Sequence, residues 1–238
     1  MKYSDFCHDP ESPAASRPEA GVTQGMETID AGVALLKKVR VGGFGNNIYV
    51  LVCKKTEESV IVDASFEADT ILKVAEGTKV RSILLTHCHS DHVQALEELR
   101  RATGAPVGIH PEEAGHFGVR ADFEIHDGDR IPFGQCEVEA FLAGPGHSPA
   151  GMAFLLPGHC IVGDAVFPGG PGRTNSPKAF ERLVENIRKR VYTLPDETVL
   201  YPGHGDNTTV GESKKEYAVF ASKDRSGPVC GDVLWLES

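Results

Sequence analysis

The sequence lacks the features that would direct it into or across a membrane. No apolar run approaches the length of a membrane span, and the first residues contain no apolar segment typical of a secretory signal. The six cysteines are scattered and include no Cys-x-x-Cys pair, which is typical of reduced thiols rather than of a disulfide framework. We therefore expect a cytoplasmic protein with reduced cysteines and no membrane partner.

The chain also lacks a surplus of basic residues. It has 24 Lys and Arg against 34 Asp and Glu, which gives a net charge of −10. This balance argues against nucleic acid as a partner. A small anionic substrate remains compatible with it, because bound metal cations reverse the local field. We expect a small-molecule substrate, and the sequence leaves the oligomeric state open.

The hydrophobic pattern predicts one folded domain after a short tail. Residues 1–25 are rich in Pro, Ser, Ala and Glu without a period, which indicates a mobile N-terminal tail. Residues 26–238 contain two β-rich halves that each carry helices, so the predicted fold class is α/β, a four-layer αββα sandwich. Within it, Asp122–Leu142 is predicted to form three antiparallel strands, and Pro177–Val191 a helix with Ser176 as N-cap.

Metal-ligating side chains are concentrated between a predicted buried strand and a predicted helix. The segment T-H-C-H-S-D-H, residues 86–92, contains three imidazoles and one carboxylate. His87 and His89, two residues apart on an extended segment, project to the same side. Cys88 should point the opposite way, as a small buried hydrophobic residue. Neutral imidazoles and carboxylates are ligands of zinc-type catalytic ions, so the segment predicts a metal site rather than a solvated turn.

Three further candidates fall at strand ends or in glycine-rich loops. With the first segment they make seven ligands, the number that a two-metal site needs. The predicted assignment is His87, His89 and His147 on one ion, Asp91, His92 and His204 on the other, and Asp164 as the bridge.

These motifs, T-H-C-H-S-D-H, G-H-S, G-D and P-G-H-G in that order, resemble the metallo-β-lactamase superfamily over roughly residues 30–220. Within it, the chain is most similar to the glyoxalase II (hydroxyacylglutathione hydrolase) branch. The resemblance implies the metallo-β-lactamase fold, with metals held between the sheets. It further implies that Asp63 supports a ligand from behind and that Arg173, in G-G-P-G-R-T, contacts a substrate carboxylate.

The function expected from these residues and from the resemblance is that of a binuclear metal-dependent hydrolase. It would cleave a thioester or ester of a small anionic substrate with a metal-bridging hydroxide, and Asp91 would act as the catalytic residue that orients the hydroxide and takes up its proton. The expected cofactors are two divalent metal ions, with zinc favoured over iron and manganese. The loop after His147 lacks the second histidine common in glyoxalase II, which argues against glutathione itself as the carrier.

Other functions remain open on the same fold. A persulfide dioxygenase would hold one iron through His87, His147 and Asp164, and lactonase or β-lactamase activity would use the same hydrolytic site. A purely structural role for the metals is disfavoured, because seven ligands leave coordination positions open to water, whereas structural zinc sites are closed. Residues 146–150, G-H-S-P-A, nearly match the G-x-S-x-G motif of serine hydrolases, but the strand predicted after them does not make the required elbow.

Overall fold

Two β-sheets pack face to face, with helices on both outer sides, in the computed structural model, which describes residues 25–224 and 227–237. One apolar cluster lies between the sheets, and two others lie between a sheet and its helices. The predicted αββα sandwich is therefore confirmed. The predicted mobile tail lies outside the described residues, apart from Gly25.

The strands of the first sheet lie side by side in chain order. They are β1 (Glu27–Ala31), β2 (Ala34–Val41), β3 (Asn46–Cys53), β4 (Glu58–Val62), β5 (Lys79–Leu84), β6 (Val107–Ile109) and β7 (Phe123–Glu124). The later strands are β8 (Arg130–Phe133), β9 (Cys136–Leu142), β10 (Met152–Leu156), β11 (His159–Gly163), β12 (Val166–Phe167), β13 (Gly170–Pro171), β14 (Val199–Pro202) and β15 (Thr208–Thr209). The second sheet has the order β15-β14-β11-β10-β9-β8, and β12 and β13 form a separate hairpin.

The helices cover the two outer faces. On the first sheet lie α1 (Ala68–Val74), α2 (Ser90–Val93), α3 (Leu96–Thr103) and α4 (Pro111–Phe117). On the second lie α5 (Pro177–Asn186), its π-helical continuation Ile187–Val191, and the start of α6 (Val210–Ser222). The predicted start of α5 is confirmed, because the Ser176 hydroxyl accepts a hydrogen bond from the Ala179 N–H at 3.2 Å. Across the described residues, no helix combines the length and the apolar character needed to cross a bilayer.

Strand β3 shows how the sequence specifies the layers. All eight of its residues are buried. Ile48 and Val50 pack with the helices on one side, whereas Tyr49 and Leu51 pack between the sheets. Side chains alternate in direction along a strand, so a continuous apolar run fills both layers at once.

The predicted antiparallel arrangement over Asp122–Leu142 is wrong at its first strand. β7 pairs in parallel with β6 in the first sheet, whereas β8 and β9 form an antiparallel pair in the second. The Asp122 carboxylate accepts a hydrogen bond from the Val107 N–H at 2.9 Å, which fixes β7 beside β6. The chain therefore changes sheets at the polar turn between β7 and β8, which local pattern alone predicts as an ordinary hairpin.

The cysteine prediction is wrong at one position. Cys230, in a half-buried segment beyond α6 and outside the sandwich core, is disulfide-bonded. Free, buried thiols are found at Cys53, Cys88, Cys136 and Cys160. Cys88 is 2% exposed and packs in the cluster beneath the helices, so its predicted burial is confirmed.

The carboxyl ends of four strands meet at one edge of the sandwich. β4 pairs in parallel with β5 in the first sheet, and β11 pairs in parallel with β14 in the second. Parallel neighbours end at the same edge, so the segments that follow these four strands converge. This edge is where all of the predicted site residues lie.

Candidate metal centre

The seven predicted ligands come together where the two sheets meet. Asp164 follows β11, His204 follows β14, and His147 lies in the loop between β9 and β10. The remaining four follow β5, in the segment that enters α2. Three sets of side chains place their ligand atoms within 4.8 Å of one another: His87, His89 and His147; His87, His92 and Asp164; Asp91, His92 and His204.

The spacing of the ligand atoms fits a metal ion. His204 Nε2 lies 3.2 Å from Asp91 Oδ2 and 3.5 Å from Asp164 Oδ2. His147 Nε2 lies 3.6 Å from the same Asp164 oxygen. Two ligands about 2.0–2.1 Å from a tetrahedral zinc ion are roughly 3.3 Å apart. The side chains are therefore spaced as ligands that share an ion, without repacking.

Two buried polar atoms point into this space. His92 Nε2 and Asp164 Oδ1 are 3.6 Å apart. Within the part of the chain that the structure describes, neither atom has a hydrogen-bond partner. Burying such atoms without a partner costs roughly 1–3 kcal/mol each, and a cation between them would remove that cost. The donor set and these atoms together fit a divalent metal.

The outer nitrogens of the histidines are held by the surrounding protein. His147 Nδ1 lies 2.9 Å from the Arg173 carbonyl oxygen, and His204 Nδ1 lies 3.2 Å from the Phe44 carbonyl oxygen. A carbonyl oxygen can only accept, so each Nδ1 carries the proton and each Nε2 keeps its lone pair for the centre. The main chain thus fixes both the orientation and the tautomer of these two imidazoles.

The Asp63 carboxylate lies behind the histidine segment and contacts two of its residues, Thr86 and His92. It accepts hydrogen bonds from the Thr86 N–H at 2.8 Å and from the Thr86 hydroxyl. It also lies 3.0 Å from His92 Nδ1. Asp63 is fully buried, and its backbone adopts a left-handed conformation with φ 64°. Such strain persists only where the surroundings impose it, and here three donors converge on one carboxylate.

Burial keeps two of the histidines neutral. It lowers the pKa of His87 well below its usual value. It also lowers the pKa of His89 to about 4, and the neighbouring His147 adds to the effect. Both rings are therefore uncharged at neutral pH, the state in which imidazole binds a metal.

Neighbouring histidines keep the carboxylates of Asp91 and Asp164 ionised. Burial alone would raise the pKa of Asp91, but the adjacent His204 ring and the charge of His92 hold it far below its usual range. Burial likewise opposes ionisation of Asp164, but the charge of His92 outweighs it and lowers the pKa of this carboxyl below its usual value. The site therefore combines two neutral imidazoles, those of His87 and His89, with two anionic carboxylates.

Asn46 belongs to the site and was not predicted from the sequence. Its Nδ2 donates to Asp91 Oδ2 at 2.9 Å and lies 3.5 Å from His204 Nε2. The next residue, Asn47, donates from its side chain to the carbonyls of Pro202 and Gly205 at 2.9 Å each. The start of β3 therefore fastens the His204 loop to the first sheet. In the sequence these asparagines look like ordinary turn residues after a glycine-rich segment.

Glu113 is a second residue that sequence reasoning missed. It lies on α4 and is fully buried. Its Oε2 accepts a hydrogen bond from the Cys88 N–H at 3.1 Å, and its Oε1 accepts one from the Ala150 N–H at 2.7 Å. One carboxylate therefore joins the loop that carries His87 and His89 to the loop that carries His147. A fully buried carboxylate is rare, but no motif marks it in the sequence.

Glycine is required where the His204 loop passes the centre. A Cβ at Gly203 would overlap Asp164 Oδ1 and crowd His92 Cε1. The backbone can approach the centre this closely because Gly203 has no side chain.

A cleft of about 660 Å³ opens from the centre to the surface. Arg173 lies on its rim, with its side chain 44% exposed and its Nε 3.7 Å from Asp232 Oδ2. The guanidinium thus lies beside the cleft. The lining residues are Phe44, His89, Ser90, Asp91, His147, Arg173, Asn175, His204 and Asp232.

Comparison with known proteins relates the chain to one superfamily. Residues 41–204 match the metallo-beta-lactamase superfamily. The chain is 29% identical over 196 residues to the hydroxyacylglutathione hydrolase GloC of Haemophilus influenzae, a match that covers 73% of this chain and 92% of the relative. It is 32% identical over 162 residues to the mitochondrial persulfide dioxygenase ETHE1 of Bos taurus, with 66% of this chain and 62% of the relative covered. A hydroxyacylglutathione hydrolase of Cereibacter sphaeroides is 39% identical over 153 residues, with 63% and 58% covered. The chain thus spans less than two thirds of the last two relatives.

Solved structures agree with this relation. ETHE1 from Myxococcus xanthus has a TM-score of 0.69 at 27% identity, with 79% of this chain and 85% of that chain covered. The protein TTHA1623, in a di-iron-bound form, has a TM-score of 0.62 at 31% identity, with 75% and 96% covered. The similarity therefore includes relatives of both hydrolase and dioxygenase type.

Replacing Asp63 tests the support behind His92. Asp63→Asn tolerates the left-handed backbone but loses the charge and presents N–H groups to donors. We expect metal affinity to fall by roughly 10–100-fold, as measured by competition with a chelator. The exposed Asp69→Asn is the matched control. An unchanged metal affinity in Asp63→Asn would rule out the supporting role.

Replacing Glu113 tests the link between the two ligand loops. Glu113→Gln keeps the shape of the side chain but can accept only through one atom, so one of the two loop contacts is lost. We expect roughly tenfold weaker metal binding and faster metal release, by analogy with other groups that orient ligands. The exposed neighbour Glu112→Gln is the control. Equal metal release from both variants would contradict the prediction.

Proposed function

The chain belongs to the metallo-beta-lactamase superfamily, and on that basis we propose that it is a binuclear metal-dependent hydrolase of a thioester or ester with a small anionic substrate. The superfamily relation makes it a metal-dependent enzyme. The proposal includes the bond cleaved, which is a thioester or an ester. It also includes the metals, which are two ions with zinc favoured.

The arrangement around Asp164 is the observation that carries the proposal. The set His87, His89 and His147 can hold one ion, and the set Asp91, His92 and His204 can hold another. Asp164 presents Oδ1 to His92 and Oδ2 to both His147 and His204. One carboxylate therefore contacts members of both sets, as a bridging ligand of a two-metal site does.

The residues around the two sets support hydrolysis. Two divalent cations held here would lower the pKa of a shared water and polarise a carbonyl oxygen. We assign Asp91 to orient that water and to accept its proton. Asn46 donates a hydrogen bond of 2.9 Å to Asp91 Oδ2, so the carboxylate is held in one orientation before substrate binds.

The cleft supports a small anionic substrate. Arg173 can pair with a substrate carboxylate at the rim, and Phe44, also at the rim and 65% exposed, offers an apolar surface to an acyl or carrier group. The hydroxyacylglutathione hydrolases among the relatives favour a thioester over an ester.

A persulfide dioxygenase is the second candidate. The 32% identity to ETHE1 of Bos taurus supports it. It would need only one iron, held by His87, His147 and Asp164. His147 Nε2 lies 3.4 Å from His87 Nε2 and 3.6 Å from Asp164 Oδ2. The two candidates differ in the need for the second set of ligands, which provides a direct test.

Removing one ligand of the second set separates the two functions. In His204→Ala we expect metal content to fall from two ions to one per chain and thioester hydrolysis to fall on the order of 10³-fold. Metal content is measured by elemental analysis, and turnover on S-lactoylglutathione, a lactone, a β-lactam and a persulfide. The exposed His126→Ala is the control. Persulfide-dependent oxygen uptake that survives His204→Ala, without hydrolysis in the wild type, would replace the hydrolase proposal with the dioxygenase.

The role of Arg173 is tested with substrates that differ in charge. In Arg173→Gln we expect KM for a carboxylate-bearing thioester to rise roughly 3–10-fold with little change in kcat, because the contact is partly solvent-screened. Asp232→Asn should have the opposite effect, since it removes a competing carboxylate 3.7 Å from Arg173 Nε. The exposed Arg182→Gln is the control. An equal rise in KM for a neutral thioester would refute the role.

A further inference from the structure

Two cysteines face each other at the end of the sandwich opposite to the candidate metal centre. Strand β3 starts at Asn46, beside the centre, and ends at Cys53, about 20 Å further along the strand. Strand β9 starts at Cys136 and runs towards the loop that carries His147. Both cysteines belong to the apolar cluster between the sheets. Because they come from different sheets, they lie across the sandwich from each other.

The turns next to these cysteines are in close contact. Gly134, in the turn between β8 and β9, has a left-handed backbone with φ 70°, and a Cβ there would overlap the Thr56 hydroxyl in the turn between β3 and β4. The Val33 carbonyl accepts a hydrogen bond from the Lys54 N–H at 3.2 Å and one from Cys136 Sγ at 3.5 Å. The close approach of the turns therefore brings the two thiols together.

The Cys53 and Cys136 thiols are neighbours that influence each other, and their surroundings differ. Around Cys53 Sγ lie three donor groups, the Thr56 side chain and the backbone N–H groups of Lys55 and Gln135. Burial opposes ionisation of Cys53, but these donors outweigh it and lower its pKa to about 6. Burial raises the pKa of Cys136 to about 11. At neutral pH one sulfur is therefore a thiolate beside a protonated thiol.

Only a thin layer separates the pair from solvent. Cys53 is 1% exposed and Cys136 6% exposed, but the covering turn residues 54–57 and 134–135 are themselves exposed. Cys136 also lines a groove of about 520 Å³ together with Val33 and Leu155. The groove therefore opens the Cys136 side of the pair to solvent.

We propose that Cys53 and Cys136 form a peroxide-sensitive dithiol that closes reversibly into a disulfide between the two sheets. Cys53 Sγ attacks one oxygen of hydrogen peroxide, and the O–O bond breaks. The sulfur is oxidised to a sulfenic acid, and hydroxide leaves and takes up a proton to become water. Cys136 Sγ then attacks Cys53 Sγ and loses its proton, the S–O bond breaks, and a second water forms. In sum, two thiols and one peroxide give one disulfide and two waters.

The other free thiols provide internal controls. Cys88 and Cys160 do not line the groove that Cys136 lines, and burial raises the pKa of Cys160 far above its usual value. Both should therefore react slowly with peroxide. A difference in reactivity between these two and the Cys53–Cys136 pair is thus expected within one molecule.

Peptide mapping of the peroxide-treated protein tests the proposal. The full chain is treated with one equivalent of hydrogen peroxide, alkylated and digested. We expect a Cys53–Cys136 cross-linked peptide that dithiothreitol abolishes, while Cys88 and Cys160 stay alkylated. The oxidised protein should also melt several degrees higher than the untreated protein, because the cross-link joins two sheets across a long loop.

Variants separate the roles of the two sulfurs. In Cys136→Ser we expect a sulfenic acid at Cys53 that dimedone traps, and in Cys53→Ser neither the sulfenic acid nor the cross-link. Cys160→Ala is the control and should cross-link like the wild type. The proposal is overturned if the folded wild type yields no Cys53–Cys136 peptide, or if Cys88 and Cys160 are oxidised as fast as the pair. The wild-type map decides even if a variant fails to fold.

Discussion

The Asp63 carboxylate is the acceptor on which the geometry of the candidate metal centre depends. It follows β4, takes two hydrogen bonds from Thr86 after β5, and contacts His92 at the start of α2. Because these donors are buried, removing the acceptor would leave the Thr86 N–H and His92 Nδ1 without a partner among the described residues, at roughly 1–3 kcal/mol apiece. The Thr86 carbonyl in turn accepts a hydrogen bond from the Met152 N–H at 2.7 Å, so the same corner also joins the two sheets.

Much of the fold and the site could be predicted because their signals are local and dense. Continuous apolar runs such as β3 indicate strands buried on both faces, and three histidines and an aspartate within residues 86–92 are hard to explain without a metal. The ligands His147, Asp164 and His204 are each weak signals alone. They indicate a metal site only because their motifs follow the histidine segment in a particular order. The structure adds that all of them share one edge of the sandwich.

What could not be predicted depends on contacts between distant parts of the chain. Glu113 sits on a short helix and looks like a solvated acid, yet its partners are backbone N–H groups of two loops. Strand β7 has the local pattern of a hairpin partner, but a hydrogen bond from Val107 holds it in the other sheet. Cys230 shows the same limit, because spacing along the chain does not reveal that it is disulfide-bonded. No periodicity encodes such pairings.

The candidate ligands come from both halves of the sandwich, since His87 to His92 follow a strand of the first sheet whereas His147, Asp164 and His204 belong to the second. A cation held by both groups is bound by the native state and not by the separated halves. Its binding free energy is then added, through mass action, to the free energy of unfolding of the whole domain. The melting temperature would consequently rise with the logarithm of the free ion concentration. The supply of the ion would then control the stability of the fold as well as its chemistry.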